Sequence, residues 1–333
     1  MTKSKQFRAG AGMVDITPSA GVHLSGSGMG EHRPAQSVLD PLYVRALALE
    51  CDGQRLCIVV LDTCIVTDDF TDRIRRAAQE RFGYEPDQVM MHALQIHSAP
   101  SCGRFMLDPD FPLETTPQNE HLWGSEARYV AQVEKSTLEA ISQATASLQP
   151  VRIGFGSGIR GDLAFNRRGI TRQGTIAMPW PVGRRAQLLG PTYLRYMEGP
   201  IDPEVGVLAF RSDDLKMVAL LLHYTCHPVN VFANQFTYRA VSADWPGAWC
   251  NAMQEAYGPE CIPIVLNGCC GNINPWDPYD PDYIPDHRRM GAAAGRHGVP
   301  DHPYAQFRAT GQACRKTRSC GLAVPRGPEG ETG

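Results

Sequence analysis

Residues 57–97, CIVVLDTCIVTDDFTDRIRRAAQERFGYEPDQVMMHALQIH, decide the fold. The run from Cys57 to Asp62 is almost wholly apolar, as in a strand buried on both faces. Thr67 or Asp68 stands where a helix would be capped, and Phe70, Ile74, Ala77 and Ala78 recur at helical spacing. Gly83 stops that helix, with Pro86 just beyond it. Val89 to His97 reads as a second strand. The whole is a βαβ unit whose two strands run parallel. Just upstream, Asp52-Gly53 joins two strand-like runs and signals a tight hairpin.

Working outward, the alternation recurs. Residues 125–147 form an amphipathic helix, VRIGFGSG (151–158) a short strand, and MVALLLHYTCH (217–227) a longer buried one. ADWPGAWCNAMQEAYG opens on an acidic cap and continues as helix, CIPIVLNG is another buried strand, and RRMGAAAGRHG a short helix. This predicts an α/β fold: one large domain built on a mixed, largely parallel sheet flanked by helices. The domain spans 1–297, and 298–333 reads as an irregular or disordered tail. Near the start, AGMVDITPSAGVHLSGSGMG is a short strand-like piece to Thr17-Pro18 followed by Gly/Ser-rich loop.

Composition narrows the function. The chain has 333 residues, 43% hydrophobic and 20% charged, with 32 basic against 35 acidic side chains and a net charge of −3. No Lys/Arg-rich run points to nucleic acid, and no apolar run reaches the ~20 residues of a membrane helix. The start, MTKSKQFRAG, lacks the apolar core of a secretory signal, so a cytoplasmic location is expected. The 11 cysteines contain no C-x-x-C pair. A disulfide scaffold or Cys-type zinc site is therefore not expected, and mostly buried free thiols are.

In open α/β sheets, reactive groups gather beyond the carboxyl ends of the strands. Here those ends carry Asp62-Thr63, Gln95-Ile96-His97-Ser98, His227-Pro228-Val229-Asn230 and Asn267-Gly268. Strand alternation puts Gln95 and His97 on one face with His92 opposite, and His223, Thr225 and His227 on one face. His92 and His223 read as core histidines, His97 and His227 as site residues. Two histidines suggest zinc, which needs about three protein ligands and an open position. Asp62 and Asp244 are candidate third ligands; the Asp277–Asp286 run reads as a solvated acidic loop.

Six motifs, AGMVDITP, QIHSAPS, FNRRG, HPVN, VSADWPG and GCCGNINP, occur in the order and spacing of the neutral/alkaline non-lysosomal ceramidase N-terminal domain, which the chain resembles over roughly residues 8–297. The resemblance implies a zinc-dependent amide hydrolase, with ceramide cleavage and sphingolipid metabolism as the activity of the ceramidases proper. It implies zinc ligation by His97 and His227, directly or with Gln95 in the first shell; where Gln95 replaces a ligating histidine, His97 would instead serve as acid/base or oxyanion partner. Gln95 stands where the family has the first His of His-Thr-His-Ser-Gly-Pro. Arg167, matching the family's Asn-Arg arginine, and Asn274, where the family has a catalytic serine, would position the substrate or stabilise the oxyanion. Asp62 and Asp244 would orient ligands. An amide is no nucleophile, so Asn274 argues against a ceramidase in the strict sense.

The expected function is therefore hydrolysis of a linear amide (N-acyl) bond by a metal-activated water on a lipid-like or small-molecule substrate. Family relatives are often exported, in contrast to the start of this chain. A Glu and a Tyr that complete the family's zinc site have no counterpart between Gly298 and Gly333, so an altered or truncated end and an incomplete metal site are also expected. The alternative is a binding domain without metal. A metal-free hydrolase using Ser98 or Ser242 ranks below both, because neither serine sits in a Gly-x-Ser-x-Gly elbow.

Overall fold

The computed structural model describes residues 6–27, 31–108, 110–178, 194–280, 283–284 and 286–298. The expected tail beyond 298 lies outside them. The main sheet has eight strands: β1 (Arg8–Asp15), β2 (Tyr43–Cys51), β3 (Gln54–Leu61), β4 (Val89–Ala93), β5 (Gln149–Ile159), β6 (Glu204–Ser212), β7 (Met217–Tyr224) and β8 (Ile262–Asn267). Their spatial order is β8-β7-β6-β5-β1-β2-β3-β4. Five helices accompany them: α1 (Asp68–Phe82), α2 (Ala127–Ala146), the short α3 (Asn230–Ala233), α4 (Asp244–Tyr257) and α5 (His287–Gly298).

The α/β class, the single domain and the mixed sheet are as expected. The proportion of parallel pairing is not: of the seven adjacencies only β3·β4 and β7·β8 are parallel, and the other five are antiparallel. The reason lies in the middle of the sheet. β1 is a full central strand, and β5 and β6 form a long antiparallel pair. Gly10 and Gly12 lie in β1, which extends the strand-like piece before Thr17-Pro18 back to Arg8. Their role is steric: a Cβ at either position would lie 2.3 Å from the Ala144 or Ala140 carbonyl of α2. Side chains are absent there so that helix and strand can touch.

The two parallel pairs are the βαβ units β3-α1-β4 and β7-α4-β8, one at each edge. In the first, Asp52 (φ 51) and Gly53 (φ 75) form the hairpin turn, and Gly83 (φ 68) ends α1 in the left-handed conformation. Phe70, Ile74 and Ala78 are the buried face of that helix. In the second, Trp245 and Trp249 of α4 are fully buried, each contributing about 3 kcal/mol of apolar burial.

The edges meet. The backbone N–H of Asn267, at the end of β8, donates to His92 Nε2 (3.2 Å), and Asn267 Nδ2 donates to the Leu94 carbonyl (3.1 Å) just past β4. The sheet therefore curls until the carboxyl ends of both units lie together, which places the site. The last helix is fastened over this arrangement. His287 Nε2 donates to Asp40 (2.9 Å), which also accepts from Ser242 Oγ, and Gly291 lets α5 pack directly on the α4 backbone.

Candidate active site

Both catalytic-edge strands end sooner than alternation suggests: β4 at Ala93 and β7 at Tyr224. Gln95 and His97 thus belong to a turn, as does His227, and the strand-face rule does not govern them. Gln95 takes a left-handed conformation (φ 63), which swings the following residues towards β7. His92 remains in β4, paired with the Asn267 N–H, the core histidine expected.

The turns bring His97 and His227 together, Nε2 to Nε2 at 2.9 Å. His227 is buried, and its Nδ1 donates to the Cys270 carbonyl (2.9 Å), which leaves Nε2 as the ring's lone pair. Burial pushes its pKa down to about 4, against the Cys270 hydrogen bond and with help from the nearby Arg167. His97 is held well below its ordinary value by burial, then by His227, Arg33 and Arg167. Burial holds both rings towards the neutral form, and their Nε2 atoms face each other across the gap. Nδ1 of His97 is buried beside the Gly26 backbone without a well-formed hydrogen bond.

The His97 backbone N–H donates to the Pro228 carbonyl (3.3 Å), and each histidine has further braces. Arg33, fully buried, donates to the carbonyls of Leu24, Tyr238 and His97 and lies over the Phe232 and Tyr238 rings at 4.7 and 4.8 Å. The His227 turn is held by Asp244, whose carboxylate accepts from Asn230 Nδ2 (2.9 Å), Val231 N (2.9 Å) and Trp245 N (2.7 Å). The His227 N–H donates to the Ile273 carbonyl (3.1 Å).

Arg167 and Asn274 arrive on a short antiparallel bridge, Asn274 opposite Phe165 and Ile273 opposite Asn166. Among the described residues the Asn274 amide is buried with neither end hydrogen-bonded, and Arg167 Nε and Asn166 Nδ2 are likewise buried without partners. Buried polar groups in folded proteins are normally satisfied, so these atoms are open to a water or to a polar group from outside. Asp62 lies elsewhere: its carboxylate accepts from Arg45 and the Tyr43 N–H, each at 2.8 Å, in a buried ion pair that holds Arg45 charged. Asp244 is a brace for the His227 turn. Gln95 Oε1 accepts from the Cys270 thiol (3.2 Å). Sequence reasoning missed Arg33 and Cys270, since neither a loop arginine nor one cysteine of an adjacent pair carries a local signal.

The model of the neutral/alkaline non-lysosomal ceramidase N-terminal family matches residues 7–260. The chain belongs to that family. Among solved structures this ceramidase-family chain is similar to the neutral ceramidase from Pseudomonas aeruginosa, with 19% identity and a TM-score of 0.67. The match covers 88% of this chain and 44% of that one. A ceramidase complexed with C2 gives 20% identity and a TM-score of 0.66, over 88% and 43% of the two chains. These likenesses confirm the fold, and the chain spans less than half the length of either. No curated protein matches.

The zinc expected of this family is tested by the donors. Two imidazole nitrogens on one tetrahedral zinc stand about 3.3 Å apart, close to the separation of this pair, and the His227 Nδ1–carbonyl bond is the usual support of a ligating ring. Among the described residues no group of three or more His, Cys, Asp or Glu could hold a metal. The described residues therefore do not make up a catalytic zinc site. No helix among them is long and apolar enough to cross a membrane.

Proposed function

We propose that this domain hydrolyses the N-acyl bond of lipid-like amides, ceramide-like molecules being the first class to test. The observation that carries the reading is the convergence of a neutral histidine pair with the unpartnered Asn274 amide and Arg167 Nε on a ceramidase-family fold. Arg167 and the Asn274 N–H2 are suited to donate to the acyl oxygen as charge builds on it. The imidazoles, depressed far enough to stay neutral, can accept a proton from the attacking water and return it to the leaving amine.

His97 and His227 would be the nitrogen donors to a zinc ion, with Gln95 Oε1 the third candidate. Among the described residues that set falls one strong donor short. The same shortfall favours a second reading, a domain that binds amide lipids without cleaving them.

Metal analysis of the purified protein, wild type and His227→Ala, separates the two. Zinc at one equivalent in wild type and lost in His227→Ala supports the metallohydrolase. Wild type that stays metal-free after zinc loading and dialysis supports the binding domain.

A further inference from the structure

We propose that Cys270 and Gln95 form a carbonyl-recognition unit: the thiol holds the Gln95 carboxamide by its oxygen and leaves the amide N–H2 as a hydrogen-bond donor to the acyl carbonyl of the substrate. This rests on the amide reading above and gives Gln95 a role other than metal ligand.

The direction of the hydrogen bonds follows from the neighbours. Asn267 Nδ2 donates to the Leu94 carbonyl (3.1 Å) and to Cys270 Sγ (3.4 Å), while its Oδ1 accepts from the Cys226 N–H (3.2 Å). The sulfur is thus an acceptor towards Asn267, and its own proton is directed at Gln95 Oε1, 3.2 Å away. With the carboxamide turned the other way, two donors would compete for the sulfur and the thiol proton would have no acceptor. The oxygen of Gln95 is therefore engaged. No other hydrogen bond among the described residues uses its amide, which leaves N–H2 as the free end.

The placement is also shared with the histidine pair. The Cys270 carbonyl accepts from His227 Nδ1 (2.9 Å) while its thiol takes Gln95, so one buried residue sets the position of both side chains. Gln95 itself is held at φ 63, an uncommon conformation for this residue type. Cys270 is in this sense a positioning residue, and Gln95 the group that would touch substrate.

The test uses two neutral probes of equal chain length, N-phenyldodecanamide and N-dodecylaniline, which differ in a carbonyl against a methylene. Affinities are measured by equilibrium dialysis. Wild type should prefer the amide by about tenfold, the worth of one or two neutral hydrogen bonds. Gln95→Glu, which keeps the shape and removes the N–H2 donor, should abolish most of that preference. Cys270→Ala should lower it in part, and Cys270→Ser, which keeps a donor to Oε1, should restore it.

Wild type that binds both probes equally overturns the amide reading and this inference together. Wild type that prefers the amide, with Gln95→Glu unchanged, overturns the inference alone. An arm independent of substrate is the infrared S–H stretch of Cys270, identified by its loss in Cys270→Ala. It should move to higher frequency in Gln95→Leu, and an unmoved band contradicts the thiol–amide bond.

Discussion

The two edge units end in turns that do the same task by different means. Each carries one left-handed residue other than glycine: Gln95 (φ 63) just past β4 and Asp244 (φ 50) at the start of α4. Such a conformation costs about 1–3 kcal/mol and persists where surrounding contacts over-determine it. Asp244 is over-determined within its own unit, since its carboxylate takes three donors and its N–H reaches Ser242 Oγ. The β4 turn has one thiol bond to Gln95, and its histidine is clamped from outside by Arg33. Both turns have local backbone bonds, Leu94 N to the Leu61 carbonyl and Ile96 N to the Thr63 carbonyl on the β4 side, but the side-chain brace is local on one arm and remote on the other, so damage should spread differently from each.

The largest effect is expected at the local brace. Asp244→Ala orphans three buried donors around Asn230 and Trp245 and should destabilise the domain by about 3–5 kcal/mol in urea unfolding. A loss under about 1 kcal/mol would mean that the His227 turn holds itself.

Acid acts next, through His227. Its folded pKa of about 4 lies below the unfolded ~6.5, so the fold favours the neutral ring. The stabilising contribution is complete above pH ~6.5 and is lost as pH falls towards 4, up to about 3 kcal/mol. Unfolding free energy measured across that window should fall with pH in wild type and fall less in His227→Gln; parallel curves would refute the assignment.

The remote brace ranks third. Arg33→Met keeps volume but removes the donors to three carbonyls, and should cost about 2–3 kcal/mol. Hydrogen exchange should then accelerate first in residues 94–98, with residues 227–231 following only at global unfolding. Simultaneous loosening of both turns would erase the distinction between the arms.

Smallest is Gln95→Gly. Relief of the left-handed backbone and loss of the thiol bond oppose each other, so stability should change by under about 1 kcal/mol. Asp244→Gly, the matched change on the other arm, should be severe.

Much of this comparison is legible in the sequence. The buried run at 57–62, the Asp52-Gly53 turn, the Gly83 stop and the acidic start of α4 are local signals, and they located both βαβ units and the polar residues at their ends. The middle of the sheet was legible only in part. The strand-like pieces before Thr17 and at 151–158 fall in β1 and β5, but β6 carried no assignment, and its pairing with β5 joins segments distant in sequence. Strand ends were also misplaced. Leu94 and Ile96 are apolar and continue the strand pattern, yet β4 ends at Ala93 and Gln95 turns left-handed, a dihedral event with no compositional trace. Arg33 escaped notice because its partners are carbonyls and aromatic rings, which no motif records.

The central claim is that the histidine pair serves the cleavage of an amide. The most direct measurement is mass-spectrometric detection of free fatty acid released from N-acylsphingosine by the purified chain, loaded with zinc and without it. Release by wild type, abolished in His227→Ala with the fold intact by circular dichroism, is the expected result. Equal release by wild type and His227→Ala, or none from wild type under either condition, would contradict it.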